Sequence, residues 1–153
     1  STKLIAMPYI ENCKKFPYSF HTCVIRVITS KKFNKDKVKI SCVWIEVPID
    51  NHSIMIFDLN GKILPLQKGE NYYFIKEKIG DWSNFIKNKP KEIISCLRAS
   101  ISMHKKLPPI DSVAWDWVPT NQGPKLLEGN SKYGFLIPQS IKYINSKYYK
   151  DFV

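Results

Sequence analysis

Hydrophobic positions fall first into runs that suit strands, then into a helical stripe, then into strands again. Residues 3–10 form a short apolar run interrupted by Pro8, which predicts an edge strand or a strand end. Residues 21–29 are rich in β-branched types and predict a second strand. A polar run over 30–37 turns the chain into 38–47, whose Val, Ile and Trp suit a third. Residues 48–53 read as a loop holding Asp50, Asn51 and His52. Ile54–Phe57 and 62–66 flank Asn60-Gly61, a strong hairpin signal. Residues 72–75 read as one more short strand, and 79–88 as a linker with a short helical piece. The clearest helix begins near Pro90, a residue favoured at a first helical position. Ile94, Leu97 and Ile101 repeat there at helical spacing, and the helix should stop before Leu107-Pro108-Pro109. The whole chain predicts one α+β domain, a mostly antiparallel sheet with helices packed on one face.

The stretch 111–134 carries the most chemistry. Residues 111–118 and 124–130 alternate as strands do, and Pro119-Thr120-Asn121-Gln122-Gly123 supplies turn residues between them. On the first strand Val113, Trp115 and Trp117 share one face, and Ala114, Asp116 and Val118 the other. Folding about Gln122 pairs Val118 with Leu126, Asp116 with Glu128 and Ala114 with Asn130. Opposed carboxylates repel, so this register calls for compensation. A divalent cation supplies it, because Mg²⁺ takes carboxylate and amide oxygens together with substrate phosphates. The small Ala114 beside Asn130 leaves room for a bulky ligand.

Charge and composition narrow the classes of protein. The 153 residues are 44% hydrophobic and 13% aromatic, too apolar for a disordered chain. The formal charge of +11 comes from 24 Lys and Arg against 13 Asp and Glu, a balance that favours anionic partners. The lysines are spread along the chain rather than clustered, which argues against nucleic acid as a partner. The closest approach to a basic, aromatic segment is 142–150, which reads as a terminal amphipathic helix. The alternative function is therefore a basic, non-catalytic module that holds an acidic polymer or nucleic acid. Cys13, Cys23, Cys42 and Cys96 form no C-x-x-C pair and read as reduced thiols. No apolar run is long enough to span a membrane and no signal peptide is read, so a cytoplasmic protein is expected.

Trp115-Asp116-Trp117 followed by Gly123-Pro124-Lys125-Leu126-Leu127-Glu128-Gly129-Asn130 resembles the last magnesium-binding segment of ATP-grasp proteins. The wording is closest to the sugar-transfer-associated ATP-grasp group. Further segments follow in that family's order: Ile25-Arg26-Val27-Ile28-Thr29, then Asp50-Asn51-His52 with Phe57-Asp58-Leu59-Asn60-Gly61, then His104 and Leu107-Pro108. The likeness extends over most of residues 1–140 and implies the C-terminal half of an ATP-grasp fold.

By that resemblance, Asp116 would bind one Mg²⁺, Glu128 would bridge two, and Asn130 would bind the second, all bridging the phosphates of ATP. Arg26 would clamp a phosphate or acyl phosphate, as a guanidinium fork suits such oxygens. Met7, Tyr9 and Ile10 would line the adenine pocket and Glu11 would meet the ribose. Asn51 and His52 would face the acceptor or the nucleotide. The implied activity is that of an ATP-dependent carboxylate–amine ligase acting on an unknown carboxylate and nucleophile, with a role in cell-surface polysaccharide or glycan assembly. Two departures stand out. Many ATP-grasp ligases carry Arg two residues before the metal-binding Asp, where this chain has Ala114. Nothing resembles the earlier half of the fold, and the first residue is Ser1, so the expectation is a part of a larger chain, inactive alone.

Overall fold

The computed structural model describes residues 9–31, 37–51, 53–63 and 72–133, with main chain alone over 72–77. In order along the chain come β1 (Val24–Lys31), β2 (Val38–Pro48), β3 (Ile54–Phe57), α1 (Tyr72–Lys87), α2 (Lys91–Lys106), β4 (Ser112–Thr120) and β5 (Gly123–Asn130). The strands make one five-stranded sheet in the order β3-β2-β1-β4-β5, and every neighbouring pair is antiparallel. The fold is α+β, as the sequence pattern predicts.

Both helices cover the same sheet face. Trp82 and Ile86 of α1 and Ile93, Cys96 and Leu97 of α2 join one buried cluster with Ile25, Val27, Ile45, Trp115 and Trp117. Full burial of an aliphatic side chain of this size contributes about 1.5–3 kcal/mol relative to exposure. Alternation sends the intervening residues to the opposite face, where Ile28, Cys42, Trp44, Ile56 and Ala114 make a second, smaller cluster. All four tryptophans are buried.

Several expectations from the sequence are corrected. Residues 72–87 form one 16-residue helix, α1, in place of the short strand expected at 72–75 and the linker with a short helical piece expected at 79–88. Its signal lies in Ile79, Trp82, Phe85 and Ile86, an i, i+3, i+6, i+7 spacing that the exposed Gly80 partly conceals. Helix α2 begins after Pro90 and ends before Leu107, as expected, but its buried side is Ile93, Cys96, Leu97, Ser100 and His104. The stripe is thus turned relative to Ile94, Leu97 and Ile101, because two polar residues face inward. Ser100 accepts the Trp117 indole N–H at 2.7 Å, and the His104 ring lies 2.7 Å from the Thr29 hydroxyl. Strand β1 starts at Val24 rather than at residue 21. The second arm of the hairpin at Asn60-Gly61 appears among the described residues as one bridge, Phe57 to Ile63. Tyr9 and Ile10 lie in irregular chain rather than in a strand; residues 1–8, and the tail at 142–150, fall outside the described residues.

The turn after β3 is fixed by Asp58, whose Oδ1 accepts the backbone N–H of Asn60 at 2.8 Å and of Lys62 at 2.9 Å. Gly61 sits there at φ 73°, and a Cβ on it would stand 2.4 Å from the carbonyl oxygen of Ser83 in α1. Only glycine fits both the backbone and the close approach.

Candidate functional site

Strands β1, β4 and β5 are consecutive in the sheet, and their register lines up three charged residues in one row. Arg26 is paired with Asp116, and Asp116 with Glu128. One step along, Ala114 is paired with Asn130, so the carboxylates and amide expected to share a wall do so.

The register near the turn differs from expectation. Val118 pairs with Lys125 and Trp117 with Leu126, and the ladder then skips Leu127 before Asp116 meets Glu128. The turn is the two residues Asn121-Gln122, between the Thr120–Gly123 pair, with Gly123 at φ 101°. A β-bulge at Leu127 therefore offsets the tighter turn and preserves the carboxylate pairing.

Between Glu128 and Asn130, Gly129 faces the helix-covered side. A Cβ there would lie 3.0 Å from Cζ3 of Trp115, so the indole takes the space a side chain would need. That contact gives the glycine of the Glu-Gly-Asn segment a packing reason.

Arg26 answers the repulsion between the carboxylates. Its Nε donates to Oδ1 of Asp116 and its Nη2 to Oδ2, a two-pronged pairing. The same Nη2 lies 3.9 Å from Oε1 of Glu128. The guanidinium carbon sits 5.7 Å from the centre of the Trp44 ring, within cation–π range. Trp44 in turn donates its indole N–H to Oε1 of Glu46 at 2.8 Å. The hydrogen bonds Arg26 donates to Asp116 raise its pKa; burial opposes this, and the charges of Asp116, Glu46 and Glu128 add to the rise. One guanidinium thus stands among three carboxylates, and the cluster keeps a negative balance. Arg26 stands directly across from Asp116 in the β1–β4 register.

The donor atoms suit a hard cation. Asp116 and Glu128 offer carboxylate oxygens, and Asn130, whose Nδ2 donates to Oε1 of Glu128 at 2.9 Å, offers its amide oxygen. The Asp116 side chain is 10% exposed and that of Glu128 55%, so the row runs from the interior toward solvent. Among the described residues, no group of three His, Cys, Asp or Glu side chains is placed to hold a metal. The fit therefore depends on the amide of Asn130 and on oxygens brought by a ligand.

A cavity of about 450 Å³ lies at one end of the sheet, lined by Tyr9, Ile10, Glu11, Asn12, Thr120, Asn121, Gln122 and Lys125. It brings Tyr9 and Ile10, expected at the nucleotide base, and Glu11, expected at the ribose, together with the β4–β5 turn. The segment is fastened there by Asn12, which accepts the Cys23 N–H at 2.7 Å and donates to the Cys23 carbonyl at 3.1 Å. The Cys13 N–H reaches the Pro119 carbonyl at 3.1 Å, and the Thr22 hydroxyl donates to the Ile10 carbonyl at 2.7 Å. Met7 and His52 lie outside the described residues. Asn51 is exposed on the β2–β3 loop, at the same end of the sheet as the cavity but with β1 between.

Sequence reasoning missed Trp44 and Glu46 beside Arg26, and Asn121, Gln122 and Lys125 around the cavity. The first pair was readable from alternation, since Trp44 and Glu46 share the face of β2 that adjoins Arg26. The second set had no signal, because it depends on where residues 9–12 fold back.

Compared with protein families, with curated proteins and with solved structures, the chain matches none. The four cysteines are free and buried, and no helix among the described residues is long and apolar enough to cross a membrane.

Proposed function

We propose that this chain carries the magnesium–ATP-binding face of an ATP-grasp enzyme of the carboxylate–amine ligase type, with a role in cell-surface glycan assembly. The observation that supports it best is the row Arg26, Asp116, Glu128 across three adjacent strands, with Asn130 one step along. The Mg²⁺ ions, when bound, would offset charge on the phosphates during transfer. Asp116, Glu128 and Asn130 would hold them, and Arg26 would orient a phosphoryl or acyl-phosphate oxygen. In such an enzyme ATP phosphorylates a carboxylate, and an amine or similar nucleophile then displaces phosphate from the acyl phosphate. The nucleotide-gripping half of the fold would be supplied by further sequence.

The spacing of the cavity also supports the reading. Thr120 lies four residues along β4 from Asp116, roughly 13 Å at the rise of a strand. That is the order of the reach from the terminal phosphate to the base in an extended nucleotide. Tyr9 and Ile10 would meet the base there, and Glu11 the ribose. Calorimetric titration of Mg-ATP into the full-length protein tests the assignment. Loss of binding in Asp116→Ala and Glu128→Ala is expected; affinity equal to the parent protein in both would overturn it.

A further inference from the structure

The Arg26–Asp116 pairing has a consequence for how a cation reaches the row, which rests on the cation-binding reading above. The fork of Arg26 engages both carboxylate oxygens of Asp116. It also approaches Oε1 of Glu128 to 3.9 Å. The same oxygens would serve a divalent cation, and a cation seated between them would stand at hydrogen-bond range from a guanidinium of like charge. The two positive groups compete for one seat.

Arg26 has somewhere else to rest. Its guanidinium already lies over the Trp44 ring, and Glu46, bonded to the Trp44 indole, acts on it from the side away from β4. The Arg26 side chain is 27% exposed, so it is not locked in by packing. An arginine with a flat aromatic surface beneath it and a second carboxylate behind it can leave Asp116 without being stranded.

We infer that Arg26 is a resident counter-ion of the Asp116–Glu128 pair, so that a divalent cation enters only as the guanidinium leaves Asp116 and swings along Trp44 toward Glu46. Arg26 thereby sets the cation affinity of the site, and its arrival beside incoming phosphates is coupled to cation entry. Without the cation it keeps the opposed carboxylates from repelling each other. With the cation it becomes available to a phosphate oxygen.

The test measures Mn²⁺ binding by paramagnetic relaxation, with Mg²⁺ as competitor, on the protein and on Arg26→Gln, Arg26→Lys and Glu128→Gln. Removing the competing charge should tighten Mn²⁺ binding about tenfold in Arg26→Gln, and about threefold in Arg26→Lys, which keeps the charge but loses the fork. Glu128→Gln should lose binding. In the parent protein, the Arg26 Nε–H resonance should shift with the same Mg²⁺ midpoint as cation binding. If the Arg26→Gln protein unfolds, the Arg26→Lys comparison decides. Should the arginine variants bind Mn²⁺ no more tightly than the parent while Glu128→Gln abolishes binding, this inference falls and the cation site stands. If neither the parent nor any arginine variant binds Mn²⁺, both fall.

Discussion

The indole of Trp115 lies over Gly129, its Cζ3 3.0 Å from where a Cβ on residue 129 would stand. Trp115 is also tied down, donating its Nε1–H to Thr29 Oγ1 at 2.8 Å, so it cannot give way freely. Gly129→Ala should therefore push β5 outward and cost about 1–3 kcal/mol. Because Glu128 and Asn130 flank the glycine, the same change should weaken the Mn²⁺ binding proposed for the charged row. Urea unfolding and relaxation measurements on one preparation would check both; an unchanged midpoint would show that the indole yields.

Thr29 joins two side chains in the core. It accepts from Trp115 and lies 2.7 Å from Nδ1 of His104, whose Nε2 lies 2.7 Å from the Ile110 carbonyl oxygen. The carbonyl can only accept, so His104 carries its proton on Nε2, and its Nδ1 accepts from the threonine hydroxyl. Thr29→Val keeps the shape but leaves an indole N–H and a ring nitrogen without partners. A loss of about 2–4 kcal/mol is expected, with Thr29→Ser close to the parent. Chemical denaturation followed by tryptophan fluorescence reads both.

Arg26 and Asp116 should show strong coupling. Arg26→Met leaves a carboxylate that is 10% exposed without its fork, and Asp116→Leu leaves a guanidinium that is 27% exposed. Each change should cost about 1–3 kcal/mol, below the figure for a fully buried pair because water reaches the arginine. The double variant should lie closer to the parent than the sum of the two losses. Strictly additive losses in a double-mutant cycle would contradict the pairing.

The thiols give a pH dependence. Burial pushes Cys42 from 9.0 up to about 11, and Cys96 from 9.0 up to about 12. Below pH 9 both thiols are neutral in folded and unfolded chains, and their contribution to stability is constant. As pH rises from 9 through 11 to 12, the unfolded chain releases these protons first, so stability falls. The slope should approach about 1.4 kcal/mol per pH unit for each thiol. Thiol reagents at pH 8 should label the native protein slowly and the urea-unfolded protein at all four cysteines.

Strands were legible where alternation ran without interruption. In β4, Val113, Trp115 and Trp117 fall on the helix-covered face and Ala114 on the other, as read from the sequence. The Asp116–Glu128 pairing matches the reading about Gln122 although the turn is tighter than that reading has it, because the bulge at Leu127 restores the register. The opposed acids suggest a cation, but no local signal shows that Arg26, 90 residues earlier, supplies charge compensation itself. That pairing depends on β1 lying beside β4, a long-range choice that local pattern does not contain.

Helix α1 was missed because its apolar residues are interrupted by Gly80 and mixed with residues that suit strands equally well. The facing of α2 was misjudged for a different reason. An apolar stripe marks the buried side only when buried polar residues are absent, and here Ser100 and His104 point inward to serve Trp117 and Thr29.

The skipped residue in the β4–β5 ladder separates two lengths that would otherwise be linked. With Leu127 standing outside the pairing, removal of that residue would leave a regular ladder in which Leu126 still meets Trp117 and the glutamate still meets Asp116. A shortened hairpin would forfeit local twist and one half-exposed leucine while the acidic partners stayed opposed. The strand thus holds one residue of slack, and the tip can change length by that much without disturbing the charged row behind it.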